Sequence, residues 1–160
     1  MQKNKIITSI IIASIIILIV FLFFFNFFYG KTREEASKRE AAFVTKIIDG
    51  DTIVITGGQR IRLLGIDAAE KGEPFYKEAK SRLEELIEQK NITLEKEGEN
   101  KDRYGRLLRY VFLDNKNINL LLVEEGLARC YFYGKSKYQN LCAEKEEQAI
   151  KEKIGLWQSS

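Results

Sequence analysis

Three short charged segments sit among apolar runs and contain residue types that could do chemistry. They are Asp49-Gly50-Asp51-Thr52, then Arg62-Leu63-Leu64-Gly65-Ile66-Asp67-Ala68-Ala69-Glu70, then Asp102-Arg103-Tyr104-Gly105-Arg106. A charge inside an apolar strand is costly unless it is paired or used. Asp51 and Asp67 are oxygen donors of the kind that hold calcium or magnesium. Glu70, three residues past Asp67, is placed to accept a proton from water beside such a cation. Arg62 and Arg106 suit a bidentate grip on phosphate oxygens and stabilisation of a pentacoordinate transition state. As a set, these residues suit cleavage of a phosphodiester.

Each member also has an ordinary structural reading. Asp49 and Asp51 are good turn formers, because Asp bonds its own nearby backbone. Glu70 alone is a loop glutamate, and Arg62 alone is a solvated or ion-paired strand residue. Only their joint order points to a site.

Composition narrows the chemistry. The chain has no histidine, which excludes a His general base, Ser–His or Cys–His nucleophiles and the usual His-containing zinc sites. Cys130 and Cys142 are too few for structural zinc. They form either one disulfide in an oxidising compartment or two small core residues, and spacing does not choose between these. The chain carries a formal charge of +3, yet residues 43–160 hold 20 basic and 20 acidic residues. Affinity for a polyphosphate must therefore come from a local cluster, not a global field.

The elements that would position these residues follow from pattern. Runs at 43–48, 52–56 and 60–64 are β-branched and apolar, with Gly57-Gly58 as a hairpin turn. Gly65 predicts a bend or a close backbone approach. Residues 75–89 place Phe75, Ala79, Leu83, Leu86 and Ile87 on one helical face. Strands at about 91–97 and 107–113 follow, then a helix over 119–125 capped by Gly126, and a charged helix over about 137–153. Five strands in three-then-two order with about three inserted helices predict a small α+β barrel over 43–157, with a tail at 158–160.

Upstream, a tail of residues 1–5 leads into 6–28, interrupted only by Thr8, Ser9, Ser14 and Asn26. Its 23 residues, at about 1.5 Å each, are enough to cross a hydrocarbon core of about 30 Å. A cleaved secretory signal is the rival reading, but the run is long and no good small-residue site follows it directly. The favoured expectation is a retained single-pass anchor in the cell membrane. A short tail before one span places the following domain outside the cytoplasm, although the flanking lysines and arginines do not decide orientation. If the segment is cleaved, the domain is secreted. Residues 29–42 read as a polar, helix-prone stalk.

The segments Ile48-Asp49-Gly50-Asp51-Thr52, Arg62-Leu63-Leu64-Gly65-Ile66-Asp67, Glu70 and Asp102-Arg103-Tyr104-Gly105-Arg106 resemble those of the staphylococcal nuclease (thermonuclease) family. The likeness continues through Asn119–Ala128 to Gly155-Leu156-Trp157, in order. It implies a five-stranded OB-fold barrel and a calcium-dependent endonuclease acting on DNA and RNA with little sequence specificity, leaving 3′-phosphate ends. It also implies Asp51, Asp67 and the Ala68 backbone carbonyl as Ca2+ ligands, Glu70 as general base, and Arg62 and Arg106 as catalytic arginines. Arg103, Tyr104, Tyr131 and Tyr133 match substrate-lining positions, with surface or core packing as the ordinary alternative for the tyrosines. Ala69 departs from the proline usual there, which loosens the loop carrying Glu70. No protein partner is implied and a monomer is expected. A membrane-anchored, non-catalytic OB-fold module that binds nucleic acid is the alternative.

Overall fold

The computed structural model describes residues 15–25 and 39–158. Residues 15–25 are helical (α1), with Ile15, Phe21, Phe23 and their apolar neighbours exposed. Among the described residues no helix is long and apolar enough to cross a membrane. The expected span over 6–28 lies outside the described residues except for α1, and so does most of the expected stalk. Arg39–Ser160 forms its own compact unit.

That unit is built on β1 (Glu40–Ile47), β2 (Thr52–Ile55), β3 (Arg60–Leu63), β5 (Asn91–Glu95) and β6 (Leu107–Leu113). The sheet order is β3-β2-β1-β5-β6, and an additional β3–β6 pairing closes it into a five-stranded barrel. β1 serves both halves of the barrel: Glu40–Phe43 pairs with β5 and Val44–Ile47 with β2, with a bulge between Val44 and Lys46. A bulge bends and twists a strand, which lets one strand turn a barrel corner. β1 begins at Glu40, so the last residues of the expected stalk are strand, and the folded unit starts at Arg39 rather than Phe43. Arg39 explains the extension. Its guanidinium bonds Glu95 at 3.1 Å and stacks 3.4 Å from the Phe112 ring centroid.

Two α-helices, α2 (Tyr76–Ile87) and α3 (Ile118–Glu124), pack on the barrel, and α4 (Gln139–Glu152) packs on α3, followed by a 3-10 turn at Gly155–Trp157. α2 buries Ala79, Leu83 and Ile87, the expected face, but Phe75 is its N-cap at φ 66° rather than a face residue. The core joins Val44, Ile53, Ile61, Leu63, Leu83, Ile87, Val111 and Leu122, all fully buried. Three short strands were not foreseen: β4 (Ile66–Ala68), β7 (Lys116–Asn117) and β8 (Ala128–Cys130). At two or three residues each they carry no readable alternation.

Register brings the charged segments together at one end of the barrel. Thr52 pairs with Arg62 across β2–β3, and Ile61 pairs with Leu107 across β3–β6. Asp51, Arg62 and Arg106 therefore stand near one another although up to 55 residues separate them. The β4–β8 ladder sets Asp67 opposite Arg129 and Ala68 opposite Ala128.

Candidate active site

Asp51 is buried at the entrance to β2 because its neighbour Gly50 lets two elements close in. A Cβ on Gly50 would lie 2.6 Å from Ala68 Cβ and 2.8 Å from Ala79 Cβ, so only glycine fits between β4 and α2. Asp49 is the turn former: its Oδ1 accepts the Asp51 amide at 3.1 Å. Asp51 is more than a turn residue. Its Oδ2 accepts the Ala68 amide at 3.0 Å and lies 3.0 Å from Arg62 Nη2, and its Oδ1 accepts from Thr52 Oγ1 at 3.1 Å. Burial pushes the Asp51 carboxyl up to about 6 against the pull of Arg62 and the Ala68 amide, with Asp49 adding to the rise.

Arg62 ties the cluster together. Nη1 donates to Leu63 O at 2.8 Å and Ile66 O at 2.7 Å, which curls the β3–β4 turn around the guanidinium. Nη2 reaches Asp67 Oδ1 at 2.7 Å and Asp51 Oδ2 at 3.0 Å, so both carboxylates converge on one nitrogen. The turn needs Gly65, which sits at φ 74° and where a Cβ would strike the Phe132 ring at 2.5 Å.

Arg106 enters from the β6 side. Its Nε donates to Asp102 Oδ2 at 2.7 Å and its Nη1 to Thr52 Oγ1 at 3.1 Å. Thr52 Oγ1 in turn donates to Asp51, which makes a chain from Arg106 to the carboxylate pair. Burial alone would raise the Asp102 carboxyl. The Arg106 guanidinium and the Arg106 and Tyr104 amides outweigh it and hold the group below its ordinary range.

These groups open onto a cleft of about 750 Å³ lined by Arg62, Asp67, Glu70, Arg106 and others. Glu70 lies on the cleft wall, in a turn where its amide donates to Glu73 Oε2 at 2.7 Å and its carbonyl accepts the Glu73 amide at 2.9 Å. Arg103, Tyr104, Tyr131 and Tyr133 also line the cleft, whereas Asp51, Thr52 and Ala68 lie behind its lining. Arg103 and Arg106 lie 4.8 and 5.4 Å from the Tyr104 ring centroid. Tyr104 is 68% exposed and Tyr133 93% exposed; the alternative reading of these rings as core does not hold for them. Ala68 is buried in β4 beside Asp51.

The donor set fits a hard cation. Asp51 and Asp67 present oxygen only, and Asp51 is held in a buried place where a cation would offset its desolvation. Among the described residues no group of three or more His, Cys, Asp or Glu side chains forms a metal cluster. The two carboxylates form a pair, and any further ligands would be backbone oxygen, water or substrate.

Sequence reasoning missed two supporting residues. Thr52 links the two halves of the site. Asn119, fully buried, accepts the Val111 amide at 2.9 Å and donates to Leu64 O at 2.8 Å, pinning the turn between Arg62 and Asp67. An Asn inside the apolar stretch of α3 was the available signal, since a buried amide must find partners. Cys130 and Cys142 form a disulfide.

Residues 60–159 match the family described as staphylococcal nuclease homologue. The chain belongs to the staphylococcal nuclease family. It is 36% identical to the thermonuclease of Staphylococcus intermedius over 129 residues, 74% of this chain and 77% of that protein. An uncharacterized endonuclease of Haemophilus influenzae is 39% identical over 118 residues, 71% of this chain and 64% of that protein. Endonuclease YncB of Bacillus subtilis is 34% identical over 152 residues, 82% of this chain and 72% of that protein. The family is one of phosphodiester hydrolases, and its fold agrees with the closed five-stranded barrel seen here. Arg62, Asp67, Glu70 and Arg106 fall inside the matched segment, and Asp51 precedes it.

Proposed function

We propose that this protein is a calcium-dependent nuclease that hydrolyses DNA and RNA with little sequence specificity. The observation that carries the reading is the convergence of Asp51 and Asp67 on Arg62 Nη2, with Arg106 tied to the same pair through Thr52. Asp51, Asp67 and the Ala68 carbonyl would hold Ca2+, which when bound supplies positive charge that polarises the phosphodiester. Glu70 accepts the proton of the attacking water. Arg62 and Arg106 grip the non-bridging oxygens and stabilise charge that grows as attack proceeds in line. Loss of the 5′ oxygen leaves a 3′-phosphate end. Arg103 and Tyr104, with Tyr131 and Tyr133, offer charge and stacking surfaces for the flanking nucleotides, a mode that tolerates any base.

Residues 6–28 hold the protein in the cell membrane as a single-pass anchor, with the nuclease domain outside the cytoplasm. The exposed Ile, Leu and Phe side chains of α1 support the anchor. The Cys130–Cys142 disulfide supports an oxidising compartment. Incubating the full chain in detergent with single- and double-stranded DNA and RNA, in calcium, magnesium or chelator, tests the activity. Endonucleolytic products with 3′-phosphates in calcium alone are expected. Binding without degradation would instead favour the non-catalytic module. Protease shaving of intact cells tests the orientation, with loss of the domain as the expected result.

A further inference from the structure

The segment between β8 and α4, residues 131–138, carries two of the cleft's tyrosines and is clamped at both ends. At its start the Tyr131 amide donates to Gly65 O at 2.9 Å, and the Phe132 ring covers Gly65. At its far end Ser136 Oγ donates to Glu97 Oε2 at 2.5 Å and lies 2.6 Å from Tyr110 Oη, while the Lys137 amide donates to Glu97 Oε1 at 2.9 Å. Just outside these clamps the disulfide joins Cys130, at the end of β8, to Cys142, in the first turn of α4. The tyrosines themselves have little support. Tyr131 and Tyr133 are exposed, and they touch each other edge to face at 5.0 Å with a hydrogen bond of 2.8 Å between their hydroxyls.

We propose that Cys130 and Cys142 are positioning residues for substrate: their disulfide fixes the base of segment 131–138, so that Tyr131 and Tyr133 meet nucleic acid bound in the cleft. This rests on the nuclease reading above. The tether acts on binding more than on the chemical step, because the groups assigned to chemistry are held independently. Arg62 is fixed by two carbonyls and two carboxylates, and Arg106 by Asp102 and Thr52. The tyrosine pair has no comparable network, and ordering two large side chains from a segment that has lost its covalent tether costs affinity.

The tether can be released by a dithiol. Its thiolate attacks the sulfur of Cys130, the less buried partner, and Cys142 leaves as a thiolate that takes up a proton. The second thiol of the reagent then displaces Cys130, which is protonated in turn. Two electrons and two protons have moved, and the reagent ends as a cyclic disulfide.

The test uses the full chain in detergent, as wild type with and without dithiothreitol and as Cys130→Ala/Cys142→Ala. Circular dichroism confirms that each is folded at the assay temperature. On single-stranded DNA in saturating calcium, both reduction and the double substitution should raise KM about tenfold with kcat within twofold. Dithiothreitol should do nothing to the double variant. In a Tyr131→Ala/Tyr133→Ala background, removing the disulfide should leave KM unchanged, because the two changes act through one element. An unchanged KM in folded, reduced wild type overturns the proposal, as does a loss confined to kcat. If the double variant does not fold, reduced wild type at lower temperature supplies the same comparison. If oxidised wild type cleaves nothing, the nuclease reading fails instead. The tether is then read from the Kd of a fluorescent oligonucleotide, which should weaken about tenfold on reduction and whose constancy overturns it.

Discussion

Replacing Asn119 by alanine removes the side chain that joins α3 to the turn between Arg62 and Asp67. Its carboxamide satisfies two buried backbone groups, the Val111 amide at 2.9 Å and the Leu64 carbonyl at 2.8 Å, with a longer bond to Arg109 O at 3.4 Å. Leaving a buried backbone group unpaired costs about 1–3 kcal/mol, so two groups predict a loss of about 3–4 kcal/mol. For a unit of this size that lowers Tm on the order of 10 °C. Urea unfolding in mild detergent measures it, with the slope unchanged if only the native state is affected. Thr45→Ala, which removes an exposed bond to Val54 O, is the control and should change stability by less than about 0.5 kcal/mol. Asn119→Asp can still accept from Val111 but cannot donate to Leu64. Because Leu64 lies two residues past Arg62, the surviving folded Asn119→Ala protein should also cleave DNA about tenfold more slowly. A loss below about 1 kcal/mol, with full activity, would refute the view that this amide holds the turn.

Other perturbations test separate parts of the account. Arg62→Ala leaves the buried Asp51 without its counter-charge and should cost about 3 kcal/mol without metal. Calcium should raise the Tm of this variant more than that of wild type, and an equal shift argues against a cation site at the Asp51–Asp67 pair. Arg106→Lys keeps the charge but cannot reach both Asp102 and Thr52, so kcat should fall about a hundredfold with the fold intact; circular dichroism and steady-state kinetics check this. The Asp102 carboxyl is held below its ordinary range in the folded state, so its contribution is present above the unfolded value. It is lost as pH falls through the lower folded value. Acid titration followed by fluorescence should show stability falling below about pH 4, with that limb flatter in Asp102→Asn.

Much of this was legible in the chain because it rests on strong local signals. The β-branched runs of β2 and β3, the apolar face of α2 and the Gly126 cap each depend on side-chain period or on φ > 0, which sequence carries directly. Asp51, Arg62 and Arg106 stood out as charges in apolar settings, and barrel closure brought them together. The strand at Glu40–Ala42 was hidden because its stability comes from pairing with β5 and from Arg39 over Phe112, contacts that are remote in sequence. β4 and β8 were hidden for a similar reason, since three residues carry no pattern and only the partner strand defines them. The choice between disulfide and core for Cys130 and Cys142 was closed only by the three-dimensional approach of β8 to α4. Gly50 stands between two turn-forming aspartates, and what requires it is the close packing of Ala68 and Ala79, which no local pattern carries.

The most direct test of the central claim is calcium-dependent DNA cleavage by Glu70→Gln compared with wild type. Glu70 lies on the cleft wall, and the bonds that hold its turn are made by its backbone amide and carbonyl, which Gln retains. The substitution should leave the melting curve unchanged and lower kcat by two orders of magnitude or more, about the value of a positioned general base. Wild-type turnover in a folded Glu70→Gln protein would contradict the account.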